Sequence, residues 1–216
     1  MTTLLAEHET KSDSTPQAKA ELEAAPHPYF WTADAFDRAC EMGVFGDEAR
    51  LELIQGRIID RMGQGSLHSI LTTLVAERLR SALSPRFLVR EEKPLRIAFD
   101  GEPVTDIMVV DRAILDAFQH YAKQQITPED VLLIVEIAVT SGEYDTGGKA
   151  LLYAQAGIGD YWVVLAEENA ILVHREPTPN GYQQVERLEA ADTVSPLAAS
   201  DVVLAVGDML GRPQES

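Results

Sequence analysis

Two runs of large aliphatic residues in this chain each contain one carboxylate. The run VTDIMVV contains Asp106, and the run LLIVEIAV contains Glu136. Continuous aliphatic runs of this length, rich in valine and isoleucine, are typical of buried β-strands. A carboxylate inside such a strand costs free energy unless a cation or a set of hydrogen-bond donors compensates for it. The two runs therefore predict a sheet with a polar site built into its core.

Spacing alone leaves two interpretations of these acids open. If the two strands are neighbours, Asp106 and Glu136 meet at one edge of the sheet and offer the hard oxygen ligands that suit Mg²⁺ or Mn²⁺. Lys149, one of five lysines in the chain, follows Glu136 by thirteen residues and adds a mobile cation. Alternatively, each acid pairs with an arginine or caps a neighbouring element and has a structural role only.

The order of elements predicts an α+β fold, in which a mixed central β-sheet is flanked by helices. Thr32 is typical of a helix N-cap, and Gln55-Gly56 is typical of a tight hairpin turn. The longer helices are expected at 68–83 and 144–156, and Gly157 is expected to end the second. Strands are expected at 87–90, 94–98, 104–110, 131–139, 160–165, 170–175 and 181–188.

Length and composition indicate one domain preceded by a tail. The 216 residues suffice for one sizeable core, which we expect to lie within residues 27–216. Residues 1–26 are poor in large apolar side chains and predict a disordered acidic leader. No apolar run is long enough for a membrane span, so we expect a cytoplasmic protein without membrane contact. The single cysteine, Cys40, is expected to be a small buried apolar residue.

The net charge limits how the chain can bind nucleic acid. This charge is −17, whereas surfaces that hold DNA by broad electrostatics carry clustered Lys and Arg. Residues 1–26 contribute only three of these negative charges, so the folded part is itself acidic. Any contact with DNA is therefore expected to be local or assisted by a divalent metal, with a homodimer or a protein partner supplying further affinity.

Three stretches between about residues 31 and 209 form one longer pattern: MGVFGDEARLELIQGRII, EPVTDIMVV and VEIAVTSGEYDTGGKALLYAQAGIGDYWVV. In this pattern the sequence resembles the Uma2-like family of endonucleases, which is part of the PD-(D/E)XK restriction-endonuclease-like superfamily. Ten ordered positions of the last stretch match the family pattern: Glu136, Ser141, Tyr144, Asp145, Lys149, Tyr153, Ala154, Gly157, Tyr161 and Trp162. A pattern of this length is far more specific than either acidic strand alone.

The resemblance implies a restriction-endonuclease-like core in which Asp106 and Glu136 bind the metal. The superfamily's lysine usually lies two residues after the second acid, where this chain has Ala138. The Uma2-like pattern instead has the lysine on the following helix, at Lys149. Ala138 is expected to face the same side of its strand as Glu136, and its small size leaves room for a long side chain from the helix. Thr105 replaces the proline of the superfamily's first motif.

Three further residues match the family pattern, and each has a structural alternative. The resemblance implies that Glu52 completes the acidic cluster, whereas the alternative is an exposed residue of an alternating strand. It implies that His68 holds a phosphate or a water at the start of the long helix, whereas the alternative is a helix cap or a surface residue. Tyr153 lies one helical turn beyond Lys149, where packing explains it as well as a site role does.

The function that these observations predict is that of a Mg²⁺- or Mn²⁺-dependent endonuclease that hydrolyses DNA phosphodiester bonds. The predicted catalytic residues are Asp106, Glu136, Lys149, Glu52 and His68, of which Asp106 and Glu136 bind the metal. The alternative is a catalytically inactive nuclease fold that serves as an interaction module of a mobile element or a defence system.

Overall fold

The computed structural model describes residues 28–46, 49–61, 65–83, 85–116, 125–139, 142 and 144–211. The chain divides into two compact units, Met1–Phe30 and Trp31–Ser216, and the fold described below is that of the second. The leader expected at residues 1–26 lies outside the described residues, and its disorder stays a prediction. Within the described ranges, every helix is too short or too polar to cross a membrane.

The second unit consists of one long helix, several short helices and ten strands within the described residues. In chain order they are α1 (Ala33–Glu41), β1 (Leu51–Ile54), β2 (Arg57–Asp60), α2 (Ser66–Ala82), β3 (Phe87–Pro94), β4 (Val104–Asp111), a 3₁₀ turn (Pro128–Asp130), β5 (Val131–Ala138), a π-helix (Tyr144–Lys149), α3 (Ala150–Gln155), β6 (Asp160–Leu165), β7 (Ala170–Thr178), β8 (Gly181–Glu189), β9 (Thr193–Val194), a second 3₁₀ turn (Leu197–Ala199), β10 (Leu204–Ala205) and α4 (Val206–Met209).

A six-stranded sheet in the order β3-β4-β5-β6-β7-β8 forms the centre of the unit. Neighbouring strands are antiparallel except β5 and β6, which are parallel. A parallel pair needs a crossover connection, and here the π-helix and α3 lie in that connection. The mixed sheet with flanking helices confirms the predicted α+β fold.

Alternation of side chains along the strands gives the sheet two apolar faces. On one face, Ile107, Val135 and Trp162 are buried in a cluster with side chains of α2 and α4. On the other, Met108 and Ile134 are buried in a cluster with side chains of α3. We refer to these as the α2 face and the α3 face.

The β1–β2 hairpin joins α1 in a smaller apolar cluster. The hairpin turn has φ angles of 49° at Gln55 and 74° at Gly56, as a two-residue type I′ turn requires. Leu53 packs with Phe36 of α1, and its backbone exchanges two hydrogen bonds with Glu102. These bonds attach the hairpin to the segment that leads into β4.

Four expectations about local structure are corrected. Residues 94–98 form no strand of their own, because after Pro94 their backbone N–H groups bond to turn and loop carbonyls rather than to a ladder. The helix expected at 144–156 is a π-helix followed by α3, although Gly157 ends it with a φ of 81° as expected. Ile70, which the apolar spacing within 68–83 assigns to the packed face of that helix, is exposed on α2. Cys40 is also exposed, because α1 buries its positions 33, 36 and 39.

Candidate active site

Asp106 and Glu136 lie where β4 and β5 separate. The ladder between these strands ends at Ile107 and Val135, and the two acids are the next residues along β4 and β5. Beyond that point in the described sheet, β4 stays paired with β3 and β5 with β6. Asp106 Oδ2 reaches across the opening and accepts a hydrogen bond from Ile137 N at 2.8 Å. The structure therefore places both acids at one opening of the sheet.

Glu136 is 1% exposed and is compensated from the α3 side. Lys149 Nζ lies 3.2 Å from its Oε2, and Tyr153 OH donates a hydrogen bond of 2.8 Å to its Oε1. Burial raises the pKa of Glu136 well above its ordinary value, and the Lys149 ammonium opposes that rise. Tyr153, for which packing was an equal explanation, thus contacts the site directly.

Lys149 is the last residue of the π-helix and is 6% exposed. Burial alone would lower the pKa of Lys149, but nearby carboxylates, those of Glu136 and Glu52 foremost, raise it above its ordinary value. Lys149 therefore stays protonated, and it is held in place rather than mobile. Ala138 lies on the α3 face as expected, so no long side chain of β5 occupies the space between the strand and Lys149 at this position.

Asp106 is compensated mainly from α2 and the hairpin. His68 Nε2 lies 3.0 Å from Asp106 Oδ2, and since an ionised carboxylate only accepts, Nε2 carries the proton. Thr72 Oγ1 lies 3.3 Å from the other ring nitrogen of His68. Arg61 Nη2 lies 3.4 Å from Asp106 Oδ1. Burial raises the pKa of Asp106, but His68, and after it Lys149 and the N–H of Ile137, lower it, and the pKa lies below its ordinary value.

Glu52 belongs to the same cluster. It is buried on β1, its Oε2 accepts a hydrogen bond from Val104 N at 3.2 Å, and the same oxygen lies 4.0 Å from Lys149 Nζ. The alternative of an exposed strand residue is wrong for Glu52, and His68, which is buried against Asp106, is likewise no surface residue. All five predicted site residues thus lie together. Glu136 and Glu52 lie near Lys149, and His68 contacts Asp106.

Two supporting residues were not assigned to the site from the sequence. Arg61 follows β2, and no spacing indicates that the hairpin brings it to Asp106. Tyr161 of β6 donates a hydrogen bond of 2.9 Å to the backbone carbonyl of Asp145 and so holds the π-helix against the sheet. The only signal for Tyr161 was its place in the family pattern.

The donor chemistry of this cluster suits a small divalent cation. Asp106 and Glu136 supply hard oxygens, whereas among the described residues no group of three or more His, Cys, Asp and Glu side chains is arranged around one metal position. Mg²⁺ usually binds through one or two carboxylates and completes its coordination with waters and substrate phosphates. A pair of carboxylates therefore fits Mg²⁺ or Mn²⁺ and does not fit a metal that needs an all-protein cage.

Comparisons with known proteins concern the fold and the family of this chain. The fold is similar to a crystal structure described as that of "a putative nuclease belonging to DUF820" from Anabaena variabilis, with a TM-score of 0.64 and 20% identity over 83% of this chain and 97% of that one. No curated protein matches the chain. The sequence model of the Uma2 family, described as "Putative restriction endonuclease", matches residues 33–207, a range that includes all five predicted site residues. The chain therefore belongs to the Uma2 family, as the resemblance of its motifs predicted.

Proposed function

We propose that the protein is a divalent-metal-dependent endonuclease that hydrolyses phosphodiester bonds in DNA. The observation that carries the proposal is the convergence of Asp106, Glu136 and Lys149 at the opening between β4 and β5. Membership of the Uma2 family supports a nuclease. Metal dependence and DNA as the substrate are our inference from the chemistry of the site.

Asp106 and Glu136 are the residues that would hold Mg²⁺ or Mn²⁺. When bound, such an ion lowers the pKa of a bound water and neutralises negative charge on the phosphate. Asp106 is suited to this role because its pKa is depressed, which keeps it ionised at neutral pH. His68, Arg61 and the N–H of Ile137 fix the orientation of its carboxylate.

Lys149 acts as a fixed cation. Its raised pKa makes it a hydrogen-bond donor at neutral pH rather than a base that accepts a proton. A donor fixed in a site that excludes water contributes about 3 kcal/mol when negative charge develops on the substrate in the transition state. Lys149 is therefore assigned the stabilisation of that charge or the orientation of the attacking water, and Tyr153 orients the carboxylate with which Lys149 pairs.

The first experiment measures metal binding by thermal shift, with and without millimolar Mn²⁺. We expect Mn²⁺ to raise the melting temperature of the wild type and to have little effect on Asp106→Asn or Glu136→Gln. Asp111→Asn, at the far end of β4, is the matched control and should respond like the wild type. An equal response of all four proteins would contradict the assignment of Asp106 and Glu136.

The second experiment is a plasmid-nicking assay with Mg²⁺ or Mn²⁺. We expect the wild type and Asp111→Asn to nick supercoiled DNA and Glu136→Gln to be inactive. Metal binding by the wild type without nicking would instead favour the catalytically inactive interaction module. The acidic chain predicts weak affinity for DNA, so low ionic strength gives this assay its greatest sensitivity.

A further inference from the structure

Arg90 on β3 is a cation that faces the same side of the sheet as Glu136. It pairs across the ladder with Met108 of β4, which is buried on the α3 face. Leu88, two residues earlier on β3, also packs on that face. Because side chains of a strand alternate with period two, the side chain of Arg90 leaves the sheet on the α3 side.

The guanidinium of Arg90 lacks the compensation that neighbouring arginines have. Its Nη1 atom is buried, and no acceptor in the described part of the chain forms a hydrogen bond with it. Burial lowers the pKa of Arg90, and no carboxylate among the described residues offsets that effect. By contrast, Arg80 pairs with Glu91 and Arg86 pairs with Asp111. Buried polar groups in native proteins are nearly always paired, so an unpaired one calls for an explanation.

The position of Arg90 relates it to the candidate active site. Met108 pairs in turn with Ile134 of β5, two residues before Glu136. With strands about 4.8 Å apart and a rise of about 3.3 Å per residue, the Cα atoms of Arg90 and Glu136 are roughly 12 Å apart. β3 is an edge strand of the sheet. An extended ligand that occupies the opening between β4 and β5 and leaves over this edge passes Arg90.

We propose that Arg90 binds a backbone phosphate of the DNA strand, next to the phosphodiester that is cleaved. This inference rests on the proposed function, because it places the same DNA strand over Glu136 and Arg90. A guanidinium presents paired N–H donors that match the oxygens of a phosphate, and it stays charged when partly buried. In a protein of net charge −17, an arginine that pairs with no acid in the described part of the chain is the kind of local contact that an acidic nuclease needs.

The test measures DNA binding in the Glu136→Gln background, so that no cleavage occurs. Fluorescence anisotropy with a labelled duplex oligonucleotide, over a series of salt concentrations, gives the affinity and its salt dependence. Loss of one phosphate contact should reduce the slope of log K against log salt by about one and weaken binding at low salt several-fold. We expect this for Arg90→Gln. Arg90→Lys should keep the slope, and the control Arg86→Gln, an exposed arginine of the same segment, should match the parent.

A second measurement separates ligand binding from a structural role. Without ligand, Arg90→Gln should melt at the same temperature as the parent or higher, because an uncompensated charge has been removed. Inorganic pyrophosphate should raise the melting temperature of the parent more than that of Arg90→Gln. A large fall in the melting temperature of Arg90→Gln, or an unchanged salt slope, would overturn the proposal for Arg90.

The proposal for Arg90 and the proposed nuclease function can fail separately. DNA binding that depends on Arg90, in a wild type that cuts no DNA, would overturn the nuclease and leave Arg90 as a phosphate ligand. Cleavage by the wild type, together with an unchanged salt slope in Arg90→Gln, would support the nuclease and overturn the proposal for Arg90. Absence of any DNA binding by the parent at low salt would overturn both.

Discussion

Lys149 Nζ lies 3.2 Å from Glu136 Oε2, although the lysine comes from the π-helix and the glutamate from the interior of β5. Ala138, two residues after Glu136 on the same face, carries no side chain that could compete for this position. The ammonium next to Glu136 therefore belongs to the connection between β5 and β6 and not to β5 itself. Because Lys149 is the residue at which the π-helix gives way to α3, the placement of its ammonium depends on that connection. π-helical turns of this kind are frequently found at functional sites.

Replacement of Lys149 by Met should abolish cleavage while the Mn²⁺-induced rise in melting temperature persists, because Asp106 and Glu136 remain. The variant should also be less stable, since removal of one partner from a buried ion pair typically costs about 3–5 kcal/mol. Single-turnover rates at saturating Mg²⁺ and urea unfolding measure the two effects. Lys93→Met, which removes an exposed lysine of β3, is the control. An unchanged rate in Lys149→Met would remove Lys149 from the catalytic set.

Replacement of Tyr153 by Phe removes the hydroxyl that donates to Glu136 and keeps the buried ring. We expect a loss of about 1–3 kcal/mol in the free energy of unfolding, because the carboxylate is left with fewer donors. A double-mutant cycle with Glu136→Gln should show coupling between the two residues. Tyr182→Phe is the matched control, since the Tyr182 hydroxyl donates to a backbone carbonyl, that of Ile158. If the coupling of Tyr153→Phe to Glu136→Gln is no larger than that of Tyr182→Phe to Glu136→Gln, Tyr153 does not support Glu136 directly.

The fold and the membership of the site were predictable from the sequence to different degrees. The aliphatic runs around Asp106 and Glu136 predicted β4 and β5 because a buried strand leaves a strong local pattern. The family pattern indicates Lys149 without any knowledge of tertiary contacts. Arg61 was not predictable, because its contact with Asp106 depends on how a hairpin packs against the sheet. The packing of a hairpin against a sheet is a tertiary property, and the spacing of residues along the chain does not encode it.

Two of the four corrected expectations, those for Cys40 and for the π-helix, concern short helical elements. Cys40 was expected to be buried because cysteine usually is, but the face of α1 that packs is set by Ala33, Phe36 and Ala39. The π-helix was expected to be α-helical because helical periodicity does not distinguish the two over six residues. In both cases a general preference was overridden by the packing of a short element against its neighbours.

Glu102, which is not one of the proposed metal ligands, provides a test by pH. Burial, and then the charge of Asp37, raise the pKa of Glu102 to about 7, and Arg96 opposes the shift. The folded state therefore binds this proton more tightly than the unfolded chain, in which a glutamate titrates near 4.5. The free energy of unfolding should accordingly fall as the pH rises from about 4.5 to about 7, and then level off with respect to this group.

Urea unfolding at several pH values between 4.5 and 8 measures the effect of Glu102. Glu102→Gln keeps a neutral side chain and should lose this part of the pH dependence. Glu186→Gln, an exposed glutamate of β8, should retain it. Parallel pH profiles for the wild type and Glu102→Gln would show that Glu102 does not bind a proton preferentially in the folded state.

The last prediction concerns the route by which the cation reaches the site. In a Lys149→Met protein, the added change Ala138→Lys places an ammonium on the strand, on the same face as Glu136 and two residues away. Ala138 also lines a cavity of about 440 Å³ together with Thr146 and Leu165, so a longer side chain at this position has space beside the strand, although Glu136 and Lys149 do not line that cavity. Cleavage should return in part. Since a displacement of about 1 Å in a catalytic group can cost roughly a hundredfold in rate, the rate should remain far below that of the wild type.

The matched control for this rescue is Ala138→Met in the same Lys149→Met background, because methionine fills similar space without a charge. Single-turnover rates of the two double variants should differ, and only the lysine variant should exceed the Lys149→Met parent. Equal gains of both double variants over the Lys149→Met parent would show that restored packing, and not the ammonium, is responsible. A folded lysine variant that binds Mn²⁺ without any gain in rate would mean that the cation has to enter from the π-helix, because its direction of approach to Glu136 then matters as much as its charge.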